Sequence, residues 1–252
     1  MHPALVTLLR SLAFLLLCAA VFGTLEKGWP LRAQAFFRPR WMLDAAYALW
    51  SPLLVALGLG FTLPLVRAGV AACVPAWVAQ TAGQQSVVFL GVQVFLLMEL
   101  TLYAVHRAQH CVPVLWRLHS VHHSSTTMDW LASQRQHPLE AIVTLTLAAI
   151  PGLVLGFPLA PLLGLVLLQK LHAVWVHANV VLPQGGWERV VTAPRFHHWH
   201  HDGDSRQPGN YAATLAVLDV LFGTLRLPAG HPRRHGVFPR PRPTLWERTF
   251  HG

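Results

Sequence analysis

An apolar segment runs directly into a histidine-rich one at residues 86–123, SVVFLGVQVFLLMELTLYAVHRAQHCVPVLWRLHSVHH. Residues 86–105 carry a single charged side chain, Glu99, and their length suits a bilayer core, which needs roughly 20 apolar residues in a helix. Five histidines follow between residues 106 and 123. The stretch therefore predicts a membrane helix that ends in a cluster of imidazole side chains at one membrane surface.

The composition of the whole chain favours the same class. Of its 252 residues, 54% are hydrophobic and only 12% are charged, so the charged groups are too few to cover a soluble domain this apolar. The net charge is +9, but the arginines flank apolar stretches instead of forming basic runs, which argues against a nucleic-acid partner. Three cysteines lie far apart, at positions 18, 73 and 111, and predict neither a disulfide framework nor a thiolate metal site.

Four apolar stretches are long enough to enter a bilayer: residues 4–25, 43–66, 86–105 and 141–169. The first contains Arg10 and is predicted to be a retained helix, with a cleaved signal peptide as the alternative. The fourth is uncharged but contains several prolines and glycines, so it forms either one long tilted span or two short helices folded back as a re-entrant hairpin. We favour the hairpin, because it returns the chain to the side that it left.

The basic residues predict the orientation of these stretches. The segment between the first two holds four Lys and Arg residues, whereas the segment between the second and third holds only Arg67, so the former is expected in the cytoplasm. Alternating spans then place both histidine windows on the cytoplasmic side. The predicted fold is an all-α integral membrane helical bundle of about four to five membrane segments with a cytosolic helical histidine-rich cap. Its expected parts are N-terminal membrane helices (1–85), a domain that contains both histidine windows (86–227) and a basic Pro/Arg-rich tail (228–252).

The spacing of the histidines predicts metal binding. His106 and His110 are four residues apart, and the sets 119, 122, 123 and 197, 200, 201 follow an i, i+3, i+4 pattern that places each set on one helical face. His198 lies off that face. Neutral imidazole suits Zn, Cu, Fe and Ni, and eight such ligands exceed what one metal ion holds, so the pattern predicts two ions.

Several short motifs together resemble the fatty acid hydroxylase/sterol desaturase superfamily. They occur in that family's order and extend over about residues 95–227. The resemblance implies an integral-membrane, non-haem di-iron oxygenase that acts on lipid C–H bonds, with two iron ions that zinc can replace on isolation. The motifs are residues 99–110, 115–124, 135–140, 177–179, 194–201, 210–211 and 218–224.

The resemblance also assigns site residues. His137 and His177 match positions that tend to be histidine in the family, although a helix cap before Pro138 and a core histidine are the respective alternatives. Glu99 is expected to orient a ligand imidazole, and Asp219 either bonds a ligand histidine or caps a turn. The implied metal ligands are His106, His110, His119, His122, His123, His137, His177, His197, His200 and His201.

The expected reaction is hydroxylation or desaturation of a fatty acyl or sterol-like membrane lipid with O2. The chain has no GxGxxG after a strand, no iron–sulfur cysteine spacing and no haem-binding module, so an external ferredoxin, cytochrome or reductase is expected to supply electrons. Two alternatives are a membrane zinc hydrolase, which would need a carboxylate base such as that of HExxH, and a histidine-rich metal transporter, whose ligands would lie near the bilayer midplane. The sequence does not specify an oligomeric state.

Overall fold

The computed structural model describes residues 2–204 and 208–237, and this part of the chain is helical, without an extended strand. The expected all-α architecture is thus confirmed. The expected basic tail lies mostly outside the described residues, which end at position 237. The α-helices of the described part are α1 (Pro3–Gly28), α2 (Trp41–Cys73), α3 (Ala76–Gly83), α4 (Val87–Cys111), α5 (Pro113–His119), α6 (Pro138–Val154), α7 (Leu159–His177), α8 (Pro194–His200) and α9 (Val217–Leu221).

Four of these helices, α1, α2, α4 and α7, are long and apolar enough to cross a membrane, and α6 is a shorter apolar helix. The chain is therefore an integral membrane protein. Helix α2 is longer than the apolar stretch that predicted it, because it begins at Trp41 and continues past Arg67 to Cys73. Pro52 and Pro64 lie inside it. Proline is tolerated inside membrane helices when neighbouring groups satisfy the carbonyl that it leaves free.

The fourth apolar stretch forms two helices, as the hairpin prediction requires. The bend lies at residues 155–158, between α6 and α7, whereas Pro151 stays inside α6. Gly156 adopts a left-handed conformation (φ 65°), and an added Cβ would lie 3.0 Å from the Cβ of Ala79. Near the start of α6, Glu140 contacts His119, and at the end of α7, His177 contacts His122. Both ends of the hairpin therefore lie at the histidine-rich face.

A buried ion network joins the N-terminal helices to the histidine-rich face. Arg38 binds both carboxylate oxygens of Asp129 at 2.7 Å and one oxygen of Asp44 at 2.6 Å. Asp44 also binds Arg135 at 2.5 Å. Because the backbone carbonyl of Arg135 accepts from the Nδ1 of His122 at 3.0 Å, the start of α2 is connected to the histidines through one residue.

Candidate metal centre

Nine of the ten predicted ligands gather in two groups. Within each group, one nitrogen of every ring lies within 4.8 Å of the others. The spacing of the histidines in the sequence does not divide them between two sites, whereas their positions in the structure do. Site A comprises His106, His110, His119, His123 and His200, and site B comprises His122, His177, His197 and His201.

The ends of helices bring these rings together. Helix α4 supplies two ligands from its last two turns, α5 ends at His119, and α7 ends at His177. Helix α8 contributes to both sites, with His200 in site A and His197 in site B. The sites share a wall, since the rings of His123 and His201 stack with their centroids 4.1 Å apart.

Backbone carbonyls and one carboxylate fix the tautomers of five rings. A carbonyl or carboxylate oxygen can only accept, so the Nδ1 atom that bonds it carries the proton, and Nε2 presents a lone pair. In each case the outer nitrogen is anchored and the inner one is free to bind a metal ion. The Nδ1 bonds are His106 to Tyr211 O (2.8 Å), His119 to Glu140 Oε1 (2.8 Å), His122 to Arg135 O (3.0 Å), His177 to Ala173 O (2.6 Å) and His200 to Gly209 O (2.7 Å).

Each site contains a buried nitrogen lone pair that a metal ion would satisfy. In site B, the Nε2 atoms of His122 and His177 are both acceptors, yet they face each other at 3.1 Å. In site A, the Nε2 of His106 is buried without a hydrogen-bond partner. Buried polar groups are almost always paired, so these nitrogens fit a metal ion in each site.

The distances in site A also suit a metal ion. The Nε2 atoms of His110, His119, His123 and His200 form a closed ring of contacts of 3.1–3.2 Å. Nitrogens that bind one zinc ion tetrahedrally at ~2.0–2.1 Å lie about 3.3–3.4 Å apart, so these contacts are close to the spacing that a shared ion needs. The spacing of these site A nitrogens therefore suits a first-row metal ion.

Burial keeps the ligand rings outside the membrane helices neutral. It lowers the pKa of His119 to about 3 and that of His122 to about 4. Neutral imidazole is the metal-binding form, so these rings do not need to lose a proton at physiological pH. Burial, reinforced by neighbouring imidazoles, also lowers the pKa well below its usual value for His123, His197, His200 and His201.

The carboxylate that orients a ligand is Glu140, which sequence reasoning missed. Its Oε1 accepts from His119 Nδ1 at 2.8 Å and from Gln136 Nε2 at 3.0 Å. No local spacing relates Glu140 to His119, 21 residues earlier, because the contact forms only where α6 packs against α5.

Glu99, predicted to orient a ligand imidazole, and Asp219, predicted either to bond a ligand histidine or to cap a turn, both accept from backbone N–H groups. Glu99 was expected to contact an imidazole. Its carboxylate instead accepts from the backbone N–H groups of Thr214 (2.9 Å) and Leu215 (2.8 Å). Asp219 accepts from the N–H groups of Tyr211 and Ala212, both at 2.8 Å. It acts on the ligands indirectly, since the carbonyl of Tyr211 accepts from His106.

His137 lies outside both sites, which corrects its inclusion among the ligands. It is the N-cap of α6, and its Nδ1 accepts from the backbone N–H of Leu139 at 3.2 Å. A histidine directly before a proline at the first helical position can cap the helix in this way. His198 also lies outside both sites and bonds the carbonyl of His177 at 3.3 Å through Nε2.

Comparison with known proteins supports this description of the site. Residues 91–224, more than half of the chain, match the family model of the fatty acid hydroxylases. The chain belongs to the fatty acid hydroxylase family. The matched range contains every residue of sites A and B. No solved structure matches this hydroxylase-family chain significantly.

Three curated relatives belong to the same superfamily. A very-long-chain aldehyde decarbonylase of Oryza sativa subsp. indica is 32% identical over 67% of this chain and 58% of its own length. A methylsterol monooxygenase of Arabidopsis thaliana is 30% identical over 52% of this chain and 53% of its own length. The alkylglycerol monooxygenase of Homo sapiens is 33% identical over 52% of this chain and 29% of its own length. The matched part of this chain thus covers between 29% and 58% of the length of these relatives.

In this hydroxylase-family chain, Glu140→Gln is expected to weaken metal binding at site A about 10–100-fold and to leave site B unchanged. The amide of glutamine removes the negative charge that makes the His119 imidazole a stronger donor. Competition of the zinc- or cobalt-loaded protein with a chelator measures each ion separately. Glu188→Gln is the matched control, because Glu188 is also buried but pairs with Arg195, outside both sites. Wild-type affinity at both sites in Glu140→Gln would contradict this role.

Proposed function

We propose that this chain is a membrane-bound di-iron oxygenase that hydroxylates or desaturates a C–H bond of a fatty acyl or sterol-like lipid. The observation that carries the proposal is the pair of adjacent imidazole sites at the ends of two membrane helices, α4 and α7. Two of the relatives are named as monooxygenases of lipids, a methylsterol and alkylglycerol, which supports the same reaction class. Iron is the ion that this chemistry requires, and imidazole nitrogen suits it.

The residues of sites A and B would hold one iron ion each, and bound iron would supply O2 activation for C–H oxidation. The chain itself orients the ligands through the carbonyls and Glu140, and it shields the sites from water by burying them. Two aromatic rings flank site A. Trp116 lies 5.1 Å and Tyr211 lies 5.3 Å from the ring of His110, measured between centroids. These rings give an acyl chain an apolar wall beside the metal ligands.

The alternative of a zinc hydrolase is less well supported by this geometry. A hydrolase needs a carboxylate base that faces the open side of the metal ion. Glu140 lies on the outer side of the His119 ring, bonded to Nδ1, while the Nε2 of that ring points into site A. A transporter would hold its ligands near the bilayer midplane, whereas the ligands of α4 and α7 stand at the last turns of those helices.

A separate electron donor, such as a ferredoxin, cytochrome or reductase, completes the proposal. Arg107 and Arg117 are exposed beside the ligands of α4 and α5, and an acidic donor surface would complement them. The basic segment between α1 and α2 supports a cytoplasmic location for this face.

Mass spectrometry of lipids tests the proposed function. Extracts of host cells that express the chain should contain a lipid that has gained one oxygen or lost two hydrogens. Cells expressing His122→Ala at the same level are the control, because this variant lacks a site B ligand. A gained oxygen should carry the isotope label when the cells grow under heavy-isotope O2. Identical lipids in both cultures, or an added oxygen without label, would overturn the proposed oxygenase.

A further inference from the structure

The segment that follows the third histidine cluster, residues 211–222, is anchored to two membrane helices. Its residue Thr214 contacts Glu99 of α4 through its N–H group and Gln169 of α7 through its hydroxyl group, at 2.9 and 3.0 Å. Glu99 and Gln169 also bond each other. The depth of this segment in the membrane can therefore be inferred from the positions of Glu99 in α4 and Gln169 in α7.

Both helices place the segment below the membrane surface. Helix α7 has 19 residues and is about 28 Å long, close to the ~30 Å of a bilayer core, so His177 stands at one boundary. Counting roughly 20 residues from the start of α4 reaches His106, at the same boundary. Glu99 precedes His106 by seven residues and Gln169 precedes His177 by eight, which corresponds to about 10 and 12 Å of helix. Side chains lean toward the helix N-terminus, here away from the boundary.

The backbone of the segment is satisfied from within the protein, as a non-helical chain in a membrane must be. Asp219 accepts from the N–H groups of Tyr211 and Ala212, and Glu99 accepts from those of Thr214 and Leu215. The carbonyls of residues 213 and 214 accept from the hydroxyl and N–H groups of Thr192, both at 2.8 Å. Glu99 and Asp219, which do not contact the imidazoles, thus satisfy the backbone of this segment.

The outer side of the segment is apolar and exposed. Val220, Leu221 and Phe222, at the end of α9, are 43, 72 and 48% exposed. The ring of Phe222 stacks on Tyr103 of α4 with centroids 4.9 Å apart. Tyr103 precedes His106 by three residues, so this stacking also occurs about 4–5 Å below the boundary.

We propose that residues 211–222 form a re-entrant segment that dips into the lipid leaflet beneath the metal centre, and that Val220, Leu221 and Phe222 contact acyl chains of the bilayer. Lipid is the occupant that the depth requires, because Phe222 stacks on α4, a helix whose exposed side chains include Leu96, Leu97 and Leu100. The contact does not depend on bound metal or on the reaction. Tyr211, which flanks site A, is then the first residue of a lipid-facing segment.

Spin labelling of the full chain in proteoliposomes tests the depth of this segment. The three cysteines are replaced, and a nitroxide is attached at Leu221→Cys, with Val220→Cys as a second position. Leu96→Cys on the exposed side of α4 is the membrane reference, and Gln184→Cys in an exposed loop is the aqueous reference. Collision rates with O2, which partitions into lipid, and with a water-soluble nickel complex are then compared. Retention of bound metal confirms that each labelled protein is folded.

The labels at residues 220 and 221 should resemble the one at Leu96, with O2 collisions favoured and nickel collisions several-fold fewer than at Gln184. Nickel collisions as frequent as at Gln184 in a metal-retaining protein would overturn the proposal. That result would leave the proposed oxygenase intact, whereas unchanged lipid extracts would leave the re-entrant segment intact.

Discussion

Replacing His200 by Ala is expected to leave the chain with one tightly bound metal ion instead of two. His200 supplies a ligand nitrogen to site A only, where its Nε2 lies 3.2 Å from that of His110 and 3.1 Å from that of His123. Its loss opens the closed ring of Nε2 contacts in site A, whereas no ligand of site B is changed. Elemental analysis of the detergent-purified protein gives the number of ions per chain, with two expected in the wild type.

His198→Ala is the matched control, because His198 stands on the same helix outside both sites. This variant should retain two ions. It should nevertheless lower the free energy of unfolding by about 1–3 kcal/mol, since its buried Nε2 bonds the carbonyl of His177, which would lose its partner. Equal metal loss in the two variants would show that the sites are not divided as described.

Asp44→Asn is expected to have the largest effect on stability. Asp44 is fully buried between two guanidinium groups, Arg38 at 2.6 Å and Arg135 at 2.5 Å. Removing one charge of a buried network leaves a cation without compensation, which costs about 3–5 kcal/mol. Arg135 loses its ion pair, and because its carbonyl holds His122, metal retention at site B should fall as well.

Denaturant unfolding in detergent measures this loss. Arg234→Gln is the control, because the pair of Arg234 and Asp204 is about half exposed and a surface ion pair contributes about 0–1 kcal/mol. An Asp44→Asn protein as stable as the control would show that the buried network contributes little to the fold.

The sequence was sufficient to predict the helices that reach the membrane surface and the histidines at their ends. These features depend on local properties, namely apolar length and i, i+4 spacing, which the structure preserves in α4. Local spacing could not assign a ring to a site. His122 and His123 are neighbours in the chain yet belong to different sites, because successive side chains of a helical turn point about 100–120° apart.

Long-range contacts were beyond sequence reasoning. Glu140 reaches His119 only through the packing of α6 beside α5. Glu99 was expected beside an imidazole because it precedes His106 by two helical turns, but the segment at Thr214 occupies its carboxylate instead. A carboxylate on a membrane helix needs hydrogen-bond donors or cations as partners. Tertiary structure determines whether these partners are backbone N–H groups or imidazoles.

Helix α8 is seven residues long, yet it carries ligands for both sites. In site B, the lone pairs of His122 and His177 face each other and repel unless a cation separates them. Ion uptake and folding of the histidine-rich part are then expected to be coupled, because an ion can bind all the ligands of a site only once they are assembled. Under the proposed function, iron shortage is therefore expected to lower the amount of folded protein as well as its activity.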